Sequence, residues 1–173
     1  MTQPLFRADL IHDTASGILR GKLGHLFEVP PSLASYLCVD EDTGVPQPGT
    51  MNLSEVYLDV LEDLMGIMTA WAGTLSDVRD GLEQELKSVE AEAEYLENRA
   101  FLGAPGPVEN RKKLAKTDPV VCKADFNRRV LEYAYRRVST LTERLDRFVG
   151  VLKYVHRRTQ ERATRSGTIP GHT

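Results

Sequence analysis

Between Gly49 and Ala104 the chain carries no proline, and apolar residues recur through that stretch in steps of three or four: Leu53, Tyr57, Val60, Leu64, Ile67, Trp71, Leu75, Val78, Leu82, Leu86, Val89, Ala93 and Leu96. That period puts one apolar side chain per turn on one face of an α-helix, and alternation in twos, the mark of a strand, is missing. The spacing predicts a helix over about 53–100, roughly 70 Å long at 1.5 Å per residue. Asn52, three residues before Glu55, has the spacing of a capping box at its start. Gly103-Ala104-Pro105-Gly106-Pro107 must end it, because proline removes a backbone donor and clashes with the preceding turn.

A second long helix is predicted over about 118–165. Asp118 is placed to accept hydrogen bonds from free N–H groups at its start, and Pro119 suits the first helical position. Its seam is more regular than the first. Leu131, Val138, Leu145, Leu152 and Thr159 are seven apart, and Ala134, Leu141, Phe148 and Val155 fill the interleaved positions, the pattern of a coiled coil. Two such helices joined by a loop of about fifteen residues fold most simply into an antiparallel hairpin centred near residue 109. The fold class expected is therefore all-α: a long coiled-coil-like hairpin over 51–173. Its core and oligomer seam is formed by Trp71, Leu131, Val138, Leu141, Leu145, Phe148 and Leu152. A thin hairpin leaves apolar surface uncovered, so self-association is expected. Residues 1–50 hold five of the nine prolines and only short apolar clusters. They read as an N-terminal arm of loops with one or two short helices, and the polar stretch from Asp40 to Pro48 reads as a linker.

Charge divides unevenly along the chain. Residues 1–50 carry 3 basic and 6 acidic side chains, residues 51–100 carry 3 and 12, and residues 101–173 carry 16 and 7. An acidic helix followed by a basic one means either mutual neutralisation or a basic surface for a polyanion. Many of the arginines have an acid one helical turn away: Arg128 and Arg129 with Asp125, Arg136 with Glu132, Arg147 with Glu143, Arg165 with Glu161. The antiparallel register would add Arg137 beside Asp80, Arg144 beside Asp77 and Arg158 beside Asp59. The group this leaves over is Arg111-Lys112-Lys113-Leu114-Ala115-Lys116, four cations in six residues of the expected loop, free to meet phosphate. A repeat adds to it. Tyr133-Ala134-Tyr135-Arg136-Arg137 and Tyr154-Val155-His156-Arg157-Arg158 both read YxxRR and lie three heptads apart on one helix face, where rings beside paired arginines can stack bases and hold phosphates.

Catalytic chemistry finds no foothold. Cys38 and Cys122 are far apart with no CxxC, His12, His25, His156 and His172 share no metal-ligand spacing, and neither GxxxxGK[ST] nor GxGxxG occurs. Asp40, Asp42 and Gly44 echo the start of a calcium loop without its closing glutamate. Trp71-Ala72-Gly73 has the WxG spacing of small secreted helical hairpins, but Trp71 falls on the apolar stripe and the turn comes thirty residues later, so it reads as core. No enzyme activity, cofactor or metal is expected. The apolar runs are too short to span a membrane and the first ten residues lack a signal layout, so a cytoplasmic protein without a membrane partner is expected.

The layout of residues 60–165 resembles the UvsY-type recombination mediators of tailed phages. The likeness lies in a long first helix with an aromatic-rich seam, then Tyr95-Leu96-Glu97-Asn98-Arg99-Ala100-Phe101-Leu102-Gly103 running into a turn. A lysine-rich connection follows, then Ala124-Asp125 near the start of the next helix and the basic stretch Arg157-Arg158-Thr159-Gln160-Glu161-Arg162. The resemblance implies a single-stranded DNA-binding helical oligomer, acting in the host cell cytoplasm, that assists a RecA-like recombinase and meets a single-strand-binding protein. Arg99, Arg111, Lys112, Lys113, Lys116, Arg157, Arg158 and Arg162 would contact the nucleic acid. The residues alone leave a second class open: a non-enzymatic coiled-coil protein-binding module, such as a virion, scaffold or assembly component.

Overall fold

The computed structural model describes residues 8–165; the start of the chain and His172 lie outside the described residues. The fold is all-α but for one very small sheet. In order it comprises α1 (Ala8–Leu23), a 3-10 turn (Pro31–Tyr36), β1 (Leu37–Val39), β2 (Pro46–Pro48), a second 3-10 turn (Leu53–Glu55), α2 (Leu58–Gly103), α3 (Val108–Thr117) and α4 (Pro119–Arg165). The long helices α2 and α4 pack together as a hairpin. No described helix is long and apolar enough to cross a membrane. The chain forms two compact units, and both long helices contribute to each. One contains residues 8–22 and 77–138, the other residues 23–76 and 139–165.

In the first unit, α1 lies against both long helices. Its Ala15 and Leu19 are fully buried, as is Leu82 of α2. Lys22 Nζ reaches Glu85 Oε1 of α2 at 2.5 Å, and the His12 ring meets Tyr133 of α4 edge-on at 5.4 Å between centroids. Val121, Ala124, Val130, Ala134 and Val138 are the buried side of α4 here. In the second unit, Leu61, Leu64, Met68, Trp71 and Leu75 of α2 are buried, as are Leu141, Leu145, Val149 and Leu152 of α4, and Leu23, Leu33 and Val45 join this core. Phe27 packs edge-on against Trp71 at 5.9 Å. His156 Nε2 of α4 lies 2.8 Å from Glu62 Oε1 of α2. Those two positions are equally far in sequence from residue 109, which is the antiparallel register the seam implies.

The expected seam on α4 is buried or half-buried throughout, with Leu131, Phe148, Val155 and Thr159 the half-buried members. It is wider than a two-per-heptad stripe, since Val130, Thr142 and Val149 are buried too. In the first unit α1 reaches α4, with the His12 ring against Tyr133, and a helix covered on a second side buries a broader face than a bare coiled coil does.

Three expectations are corrected. First, α2 begins at Leu58, not at residue 53. Asn52 Nδ2 does donate to Glu55 Oε1 at 2.5 Å and Glu55 N donates to Asn52 O at 3.0 Å, but these close a single 3-10 turn. The first α-helical bond runs from Leu61 N to Tyr57 O, and Tyr57 stays 76% exposed instead of joining the apolar stripe. Second, the expected loop between the hairpin arms contains α3. Arginine, lysine, leucine and alanine are good helix formers, Pro107 precedes the first turn, Glu109 lies within it and Lys116 in the last, so a run that reads as solvated charge is also a competent helix. Third, the stretch from Asp40 to Pro48 is no linker. Leu37–Val39 pairs antiparallel with Pro46–Pro48. The Asp40 carboxylate accepts from Thr43 N at 3.0 Å, Thr43 Oγ1 at 2.7 Å and Gln47 Nε2 at 2.8 Å, and Gly44 takes φ +74°, where glycine has no Cβ to clash.

Candidate nucleic-acid interface

The expected phosphate contacts of the first unit gather around α3. α2 runs out at Gly103, and Gly106, at φ +95°, takes the left-handed backbone conformation just before Pro107. Arg111 N donates to Pro107 O at 3.0 Å to open α3, whose inward side is Ala115 with the half-buried Arg111. The Arg111 guanidinium lies over the Phe101 ring at 5.1 Å, so it ties α3 back onto the end of α2. Lys112, Lys113 and Lys116 fall on the outward side and are exposed, as is Arg99 on the last turns of α2. Lys112 and Lys116 are one turn apart and share a ridge.

Asp118 fixes the direction of α3. Its N–H donates to Ala115 O at 3.2 Å, closing the last turn, while its carboxylate oxygen Oδ1 accepts from Val120 N at 2.8 Å and Val121 N at 3.4 Å, capping α4 as the sequence predicts. Cys122 Sγ donates to Lys116 O at 3.3 Å across the same joint.

Ion pairing separates the cations into two populations. Arg128 Nη2 meets Asp125 Oδ1 at 2.7 Å and Arg129 Nε meets Asp125 Oδ2 at 2.8 Å. Partial burial pushes the Asp125 carboxyl up, but the two guanidinium groups outweigh it and hold the carboxyl below its ordinary range. Arg136 pairs with Glu132 at 2.5 Å and Arg147 with Glu143 at 3.1 Å. Arg79 pairs with the adjacent Asp80, the acid expected for Arg137. By contrast, no carboxylate of the described residues pairs with Arg99, Lys112, Lys113 or Lys116.

In the second unit the basic stretch of α4 is also split. Arg157 Nε meets Glu161 Oε1 at 3.7 Å, so this acid serves Arg157, where the sequence assigns it to Arg165. Arg158 does not pair with Asp59, whose carboxylate accepts from Val60 N of its own helix. Its guanidinium lies over the Tyr154 ring at 5.3 Å instead. Tyr154, Val155, Arg158, Thr159 and Arg162 line a shallow concavity of about 260 Å³.

Among the contacts the sequence reading missed are Lys22 with Glu85, His12 with Tyr133, and His156 with Glu62. The first two involve α1, whose docking has no local signal. The third could have been found from the register centred on residue 109. The Arg157–Glu161 pair has the i, i+4 spacing with the base first, an order the search for an acid upstream does not detect. Among the described residues no group of three His, Cys, Asp or Glu side chains could hold a metal ion. Comparison of the chain with protein families, with curated proteins and with solved structures gives no match.

Proposed function

We propose that this chain is a non-enzymatic, self-associating protein that binds single-stranded DNA, with Arg99, Lys112, Lys113 and Lys116 on phosphates. One observation carries the reading: three lysines share the outward side of a short, anchored helix and have no carboxylate partner among the described residues, while most arginines of the adjoining α4 segment do. A cation already paired gains little from an incoming phosphate, whereas an unpaired one gains a full charge-assisted contact. The resemblance to UvsY-type mediators supports the further step, a cytoplasmic accessory role beside a RecA-like recombinase and a single-strand-binding protein.

The test is a salt titration of binding to a labelled thirty-base oligonucleotide. Changing Lys112 and Lys113 to Glu should weaken binding by a similar factor for any base sequence, because phosphate contacts carry no sequence information. Each lost contact removes about 0.7 from the log–log salt slope on a single strand, so the pair should remove about 1.4 while helix content stays constant. Wild-type protein that fails to retard the strand at about 50 mM salt and tens of micromolar protein would end this reading.

A second reading, a protein-binding helical module, is favoured by exposed apolar side chains in the same unit: Leu102 at 75%, Tyr95 at 62% and Val120 at 56%. It predicts that Leu102→Ser abolishes a protein complex and leaves oligonucleotide binding unchanged.

A further inference from the structure

We propose that the concavity on the last turns of α4 is a nucleobase-stacking subsite, with Tyr154 and Arg158 as the stacking pair and Arg162 as the neighbouring phosphate contact. The proposal rests on the single-strand reading above and adds a base-directed component that α3 cannot supply, because α3 presents lysines and no exposed ring.

Three observations point to a flat, anionic-linked ligand. The site has the parts: Tyr154 is half exposed, the guanidinium of Arg158, one turn on, lies over its ring at 5.3 Å from the centroid, and Arg162 continues the same ridge another turn on. An aromatic ring and a guanidinium each offer a planar face that stacks on any base. The site is also unclaimed from within. The nearest acid on the helix, Glu161, is engaged by Arg157, and His156 faces the other way to Glu62, so no described carboxylate pairs with Arg158 or Arg162. Finally, its volume of about 260 Å³ lies below the roughly 300–1,000 Å³ of pockets that enclose a free drug-sized ligand, which suits one planar ring of a longer polymer. Val155 and Thr159 give it a half-buried floor.

The experiment compares the full chain on two labelled thirty-unit strands at one salt concentration: oligothymidylate, and a strand with the same phosphates but abasic sites in place of bases. Wild type should bind the abasic strand at least about tenfold more weakly, which is ~1.4 kcal/mol and within the range for one base stacked on an aromatic side chain. Tyr154→Ala should erase that preference and leave affinity for the abasic strand unchanged. Tyr154→Phe should keep it, since the ring and not the hydroxyl stacks. Lys112→Glu with Lys113→Glu should weaken both strands by the same factor. Equal binding of both strands by wild type, or a preference that survives Tyr154→Ala in protein with an unchanged melting curve, overturns the stacking subsite while the single-strand reading stands. Binding of neither strand overturns both.

Discussion

The two copies of YxxRR on α4 sit three heptads apart on one helix, yet their neighbours put them to different uses. In the first, Tyr133 is half-buried with its ring against His12 of α1, and Arg136 is tied to Glu132. In the second, Tyr154 is half exposed, Arg158 rests on its ring, and of the two arginines only Arg157 has an acid among the described residues. The difference lies in what another element brings to the helix surface: α1 reaches Tyr133 in the first unit, and among the described residues no second ring meets Tyr154 in the second. A repeated motif therefore marks a shared face, but a copy is available to a ligand only where the fold leaves it uncovered.

The most disruptive way to break this comparison is to remove the support under the helix. Leu141 and Leu145 are 1% exposed. Leu145→Asp places a carboxylate in that core without a partner, at a cost of several kcal/mol, comparable with the whole stability of a domain. Circular dichroism should show no cooperative melt near the wild-type midpoint, and an unchanged melt would mean the seam does not hold α4. A finer test sets the tyrosines against each other. Tyr133→Ala should cost about 1–2 kcal/mol through lost ring packing on His12, lowering Tm by roughly 2–4 °C per kcal/mol, while Tyr154→Ala should cost less than ~0.5 kcal/mol. Equal shifts in the two melts would erase the distinction between the copies.

A smaller effect than the loss of Tyr133 belongs to the paired cations. Asp125 is held below its ordinary pKa by Arg128 and Arg129, so its contribution is present above the unfolded carboxylate value near 3.9 and is lost as pH falls through the lower folded value. Asp125→Asn should cost about 0.2–1 kcal/mol at pH 7, as expected for a partly exposed pair, and that cost should shrink as pH falls from 7 down through the carboxylate range. Melting curves of the two proteins across that pH range check it, and a difference that persists at low pH would show that packing, not charge, is responsible.

The sequence made the long helices and the α4 seam legible because burial on one helix face leaves a period that survives in the residue order. Asp118 and Pro119 were equally clear, since capping is a local affair of a few backbone donors. α3 was obscured by its composition: four cations in six residues suggest a solvated loop, and only the helical propensity of the same residues argues otherwise. The small hairpin from Leu37 to Pro48 was hidden for a different reason. Its pairing depends on one Asp40 carboxylate gathering three donors, a network that no periodicity reports. Of the candidate interface, the unpaired lysines could be named in advance, but the fate of Tyr133 could not, because its partner is 121 positions away in the chain.

The joint at Asp118 has a thermodynamic consequence. One residue both finishes α3 and starts α4, and Arg111 pins the other side of α3 to Phe101, so the backbone bearing Lys112, Lys113 and Lys116 is ordered before any ligand arrives. Fixing ten residues of a disordered basic loop on contact would oppose association by about 1–2 kcal/mol per residue. Here that cost is met when the chain folds. A polyanion docking on α3 would then draw its driving force from the release of condensed counterions, with a heat-capacity change close to zero, unlike the large negative value that marks a segment folding as it binds.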